Sequence, residues 1–130
     1  MIKQFFVSLL SFLLIDGIWL TVVAKNFYAK YLGYLMAKTP NLAAAGIFYL
    51  IYIFTLVVLV ISPALQKGSL ITAVLTGALF GLCAYATYDL TNLATIKGWP
   101  LLVTIVDLAW GTFVTGTVAG ISFFILSKWF

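Results

Sequence analysis

Three acidic side chains, Asp16, Asp89 and Asp107, lie inside long apolar runs, while seven lysines occupy the ends of those runs or the stretches between them. The chain has no Glu, Arg or His to blur that division. A charged side chain at the centre of a membrane helix costs roughly 2.5 to 3.5 kcal/mol on insertion scales, so intramembrane acids face a bundle interior and mark function. With 65% hydrophobic and 8% charged residues, a mean hydropathy of +1.20 and 130 residues in all, the chain reads as one small membrane domain. The net charge of +4 comes from lysines flanking apolar runs, which suits anionic head groups. Without a basic cluster or a groove-reading helix, nucleic acid is not expected as a partner.

Crossing a bilayer takes about 20 apolar residues per helix. The hydropathy predicts four such helices, at 5–24, 43–65, 70–94 and 100–126. The fold class is therefore an all-α integral membrane four-helix bundle. The start resembles a signal peptide, with Lys3, an apolar stretch and a small residue at Ala24, but Asp16 within that stretch favours a retained helix. Short connections make helices two, three and four antiparallel neighbours. The longer stretch Lys25 to Leu42 repeats Phe27, Tyr28, Tyr31, Leu32, Leu35 and Met36 at helical spacing beside Lys25, Lys30 and Lys38. It reads as an amphipathic segment in the head-group plane, with a bent continuation of helix one as the alternative. Pro40 and Asn41 supply a stop and an N-cap for helix two.

At about 1.5 Å rise per residue, Asp16, Asp89 and Asp107 all fall in one half of the bundle, the half near the Lys25 to Leu42 segment, about 8 to 12 Å from the helix ends there. Asp89 is placed nearest the interface and is the acid most open to a purely structural role. Tyr49, Tyr52, Tyr85, Thr104 and the residues of the candidate site share that half. The candidate substrate- or proton-binding residues are Asp16, Asp89, Asp107, Trp19, Tyr88, Asn92 and Trp110. Asp16 and Asp107 are the expected proton-carrying or ligand-pairing groups, and Trp19, Trp110 and Tyr88 the expected aromatic wall. The competing reading has each Asp holding helices together by a hydrogen bond to Tyr, Trp or Thr. Gly77 and Gly81 on helix three, and Gly116 and Gly120 on helix four, are spaced for close backbone approach in the other half, which predicts a bundle tight there and looser around the acids. Cys83, alone in an apolar run, reads as a small packing residue.

Other chemistries lack their residues. With no His and one Cys, the usual zinc ligands and a Ser-His or Cys-His pair are missing, and no phosphate-cradling loop with its lysine occurs. No metal, cofactor or catalytic residue is assigned. The routes left to an enzyme are acid-base chemistry by Asp, or Mg²⁺ held by Asp89 and Asp107 against a lipid phosphate.

The segment YDLTNLATIKGWP at Tyr88 to Pro100, with VDLAWGT at Val106 to Thr112 and LLIDGIWL at Leu13 to Leu20, resembles the bacterial membrane proteins classed as domain of unknown function 2177. The resemblance covers essentially the whole chain. It implies a multi-pass protein of the bacterial inner (cytoplasmic) membrane with four helices and no assigned activity, and an association with lipid modification. A looser likeness to small multidrug transporters rests on four short helices and an acid in the first. The reading that follows is binding or proton-coupled movement of a small or amphiphilic molecule. A lipid-modifying enzyme or its accessory subunit, or a structural membrane subunit, is the alternative. Its partners are membrane lipids and the small or amphiphilic ligand, with a homodimer left open.

Overall fold

In a computed structural model describing residues 1–130, four helices account for most of the chain: α1 (Ile2–Leu35), α2 (Leu42–Lys67), α3 (Leu70–Thr95) and α4 (Leu101–Trp129). Each is long and apolar enough to cross a membrane. No strand is present.

Helix α1 does not stop at Ala24. A π-helical turn at Leu20–Ala24 carries it into a further α-helical segment, Lys25–Leu32, and a closing 3-10 turn, Gly33–Leu35. The Thr21 hydroxyl donates to the Gly17 carbonyl at 2.9 Å and approaches that of Ile18 at 3.3 Å, competing for the acceptors an α-helical turn would use. One extra residue in the turn rotates everything beyond it by about 100° relative to the preceding helix. The structure thus has the continuation of helix one, and the segment's apolar side is turned onto the bundle. Leu32 is buried with Trp99 and Val103, and Phe27, Tyr28 and Tyr31 pack around them.

Helix α2 starts at the expected cap, where the Asn41 side chain accepts from the Ala44 N–H at 3.0 Å. A second π turn, Val57–Ile61, precedes Pro63 in α2. Proline has no N–H to donate and its ring crowds the preceding turn, so a widened turn just before it relieves the conflict. Val57, Val60 and Ile61 of that turn are buried. Gly68, in the left-handed region at φ +66°, ends α2, and Ser69 caps α3 by accepting from the Thr72 N–H at 3.1 Å. The α3 to α4 connection turns through Gly98 at φ +80°, and Pro100 precedes the first residue of α4.

Helices α3 and α4 pack at backbone contact. A Cβ on Gly77 would lie 2.7 Å from Ala119 Cβ and 3.0 Å from the Thr115 carbonyl oxygen, and one on Gly81 would overlap the Gly111 carbonyl. The core lies around this seam, where Phe12 of α1 and Ile53, Leu56, Val57 and Ile61 of α2 meet Val114, Val118 and Ala119 of α4. Ser62 donates to Gln4 Oε1, tying α2 to the start of α1. Cys83 faces outward, correcting its reading as a packing residue: the faces α3 turns inward are those of Gly77, Gly81 and Asp89. The first half of α2, with Leu42, Ile47, Phe48 and Leu50 exposed, has few neighbours. Two apolar clusters therefore bracket the bundle, and the acids lie between them.

Candidate functional site

Between these clusters is a cavity of about 590 Å³. Its lining comes from all four helices: Leu20, Tyr28 and Leu32 of α1, Phe48 and Tyr49 of α2, Ala84, Tyr85, Tyr88 and Asp89 of α3, and Asp107 of α4, with Met36 from the following loop. Most of these are apolar or aromatic, and the polar groups are tyrosine hydroxyls and two carboxyls. No lysine lines it. Leu20, Met36, Phe48 and Tyr88 are each about half exposed and frame the mouth, while Asp89 and Asp107, 0% and 5% exposed, form the floor. The volume and lining match small-ligand sites, which run from about 300 to 1,000 Å³ with a few placed polar groups.

The floor is built from the α3–α4 seam. Trp99 donates its indole N–H to Thr104 Oγ1 at 3.1 Å, and the Thr104 hydroxyl lies 3.4 Å from the Asp89 carbonyl oxygen. This fixes the first turns of α4 to the Asp89 turn of α3. The Asp89 and Asp107 carboxyls are neighbours at the cavity floor. The Tyr28 hydroxyl donates to Asp107 Oδ1, so the continuation of α1 closes one side of the cavity. Asp89 has no such donor: as a carboxylate, both of its buried oxygens lack a hydrogen-bond partner. A proton held between the two carboxyls would supply one missing bond. Tyr85 is seated against Gly111, where any Cβ would collide with its ring. Below it, Tyr52 and Thr115 are hydrogen-bonded across the buried interior.

Asp16 belongs to an adjoining arrangement. It is 7% exposed and accepts from the Trp110 indole N–H at 3.3 Å, with the Tyr49 hydroxyl beside it. The Trp110 ring stacks on Trp19, centroids 4.3 Å apart and planes 9° from parallel. The Trp19 indole adjoins the Tyr28 hydroxyl. Thus a chain of polar and aromatic contacts runs from Asp16 through Trp110, Trp19 and Tyr28 to Asp107 and Asp89.

Several sequence expectations change in the folded chain. Asp89, expected nearest the interface, lies six residues from the end of α3 and is nonetheless without exposed surface, because the Trp99 loop and the continuation of α1 pack at that end. Trp19 and Trp110 do not wall the cavity; with Val106, Ala109 and Phe113 they line a separate shallow groove along α1 and α4. Asn92 lies one turn beyond Asp89, beside the Tyr88 hydroxyl and outside the cavity lining. The wall is instead made of Tyr28, Tyr49, Tyr85 and Tyr88. Tyr28 was missed as a site residue because its stretch reads as an interfacial helix, and the face it presents depends on one extra residue in a π turn.

Four helices, each long and apolar enough to cross a membrane, define a multi-pass membrane protein. The chain belongs to the family of predicted membrane proteins DUF2177, whose model matches residues 1–124. No curated protein and no solved structure matches the chain.

Proposed function

We propose that this is a bacterial inner-membrane protein whose cavity binds an amphiphilic molecule, with the ligand's polar head at the Asp89–Asp107 pair and its apolar part along Leu20, Ala84 and Phe48. The observation that supports this most is Asp89: a carboxyl without exposed surface, without a donor, at the floor of an otherwise apolar cavity. An unsatisfied buried polar group costs about 1 to 3 kcal/mol, so a carboxyl kept without a donor just under a cavity floor, next to the slightly exposed Asp107, is suited to a ligand that satisfies it when the floor opens. The half-exposed apolar rim favours access from the lipid. A proton shared by the pair gives it a charge it can change, which is the requirement for coupling ligand movement to protons. The other polar groups of the lining are Tyr28, Tyr49, Tyr85 and Tyr88, with Asp16 beside Tyr49; none is a fixed cation.

The same pair favours a second reading, acid-base chemistry on a lipid, since two carboxyls sharing a proton can donate and accept in one step. Lipid extracts of the purified protein separate the possibilities. Binding predicts an enriched lipid species, retained by wild type and lost in Asp89→Asn. Chemistry predicts that a lipid species missing from cells without the protein returns with wild type and fails to return with Asp107→Asn. Identical extracts and cell lipids for all variants would refute both and leave a structural subunit.

A further inference from the structure

We infer that the head group this cavity takes is cationic, an amine or ammonium on an apolar chain, held between the Asp89–Asp107 carboxyl pair and the faces of the surrounding tyrosines. The inference rests on the cavity being an amphiphile site and adds the charge of the head. With one shared proton, the two carboxyls carry one negative charge. Nothing in the lining balances it: of the residues around the cavity, only Asp89 and Asp107 are acidic, and no lysine is among them. Tyr28 gives Asp107 a hydrogen bond but leaves Asp89 unmet. A buried charge without a partner is costly, and one monovalent cation removes the imbalance.

The walls carry the same preference. Four tyrosines, one from α1, one from α2 and two from α3, contribute to the lining. Aromatic faces attract ammonium groups by their quadrupole, more strongly where water is excluded, and an aromatic lining is a recurrent way to hold them. An anionic head would meet the carboxyl pair directly and be repelled. A neutral head would satisfy hydrogen bonds without balancing the charge. A bare metal ion would find two carboxyl groups at the floor and leave the apolar upper part without purpose.

The test uses the full chain in nanodiscs of an uncharged galactolipid, which carries no amine or ammonium, equilibrated with an equimolar mixture of dodecyltrimethylammonium, dodecyl maltoside and dodecyl sulfate. Native mass spectrometry then counts each adduct. We expect the ammonium compound to be bound at least tenfold over either other amphiphile, and Asp89→Asn to reduce that preference below threefold. Tyr88→Leu, at the half-exposed rim, should reduce it several-fold and serves if Asp89→Asn fails to fold. Equal uptake of ammonium and maltoside, both displaced by Tyr88→Leu, would overturn the cationic head while leaving the amphiphile site. Preference for sulfate would likewise overturn it. No specific adduct with any of the three would overturn both. A tenfold preference undiminished in both variants would place cation binding elsewhere and refute the inference.

Discussion

Replacing Asp89 with Asn should stabilise the protein while abolishing its proposed ligand binding. The Asp89 carboxylate is fully buried and neither oxygen has a donor. A proton shared with Asp107 would satisfy part of this need and would leave a net negative charge in the interior. An Asn at position 89 has nearly the same shape, its NH₂ can donate to Asp107, and it cannot ionise. If about half of the 1 to 3 kcal/mol cost of an unsatisfied buried group is recovered, the gain is about 0.5 to 1.5 kcal/mol. For a chain of this size that corresponds to about 2 to 7 °C in Tm. The assay is thermal unfolding in detergent at neutral pH, followed by tryptophan fluorescence, beside the lipid-retention measurement. Asp16→Asn is the contrast, because Asp16 already accepts from Trp110. Losing the charge there should cost about 0.5 to 1.5 kcal/mol. A lower melting temperature for Asp89→Asn, or unchanged stability with unchanged lipid retention, would refute a destabilised, ligand-directed carboxyl.

Tyr28→Phe removes the only direct bond from the continuation of α1 to Asp107, and should cost about 1 to 2 kcal/mol and speed proteolysis between Lys25 and Lys38; unchanged cleavage rates would show that the contact does not hold the segment. Gly81→Leu forces a side chain into the Gly111 carbonyl and Thr115, so it should prevent recovery of a monodisperse protein, whereas Gly17→Ala, with nothing within 4 Å of the added Cβ, should behave as wild type in size-exclusion chromatography. The near-parallel Trp19 and Trp110 rings should give a coupled near-ultraviolet circular dichroism signal, lost equally in Trp19→Phe and Trp110→Phe; a signal that survives either substitution contradicts the stacking.

The helical architecture was legible because its causes are local. Runs such as Leu56 to Ile61 can be hidden from water only by spanning or by burial, and Asn41 and Ser69 are caps whose partners lie three residues away. The tightness near Gly77, Gly81 and Gly116 likewise follows from side-chain size at fixed helical spacing. The site was legible in residue type and depth but not in facing. Tyr28 meets Asp107 because a π turn rotates the helix beyond Leu20, and a rotation of that kind leaves no regular mark in hydrophobic periodicity. Trp19 and Trp110 share helical faces with Asp16 and Asp107, as their three-residue spacing requires, but they pair with each other and so leave the wall to tyrosines. Asp89's burial depends on the following Trp99 loop and on α1, the latter distant in sequence.

The central claim is that the cavity above Asp89 and Asp107 is occupied by an amphiphile in the membrane. The direct measurement is photocrosslinking in native membranes with a diazirine-bearing alkylammonium, followed by mapping of the labelled residues. The account predicts adducts concentrated on Leu20, Phe48, Ala84, Tyr85 and Tyr88, competed away by unlabelled ligand and lost in Asp89→Asn. Labelling spread over lipid-facing positions such as Leu14, Leu59 and Leu79, equal in wild type and variant, would contradict it.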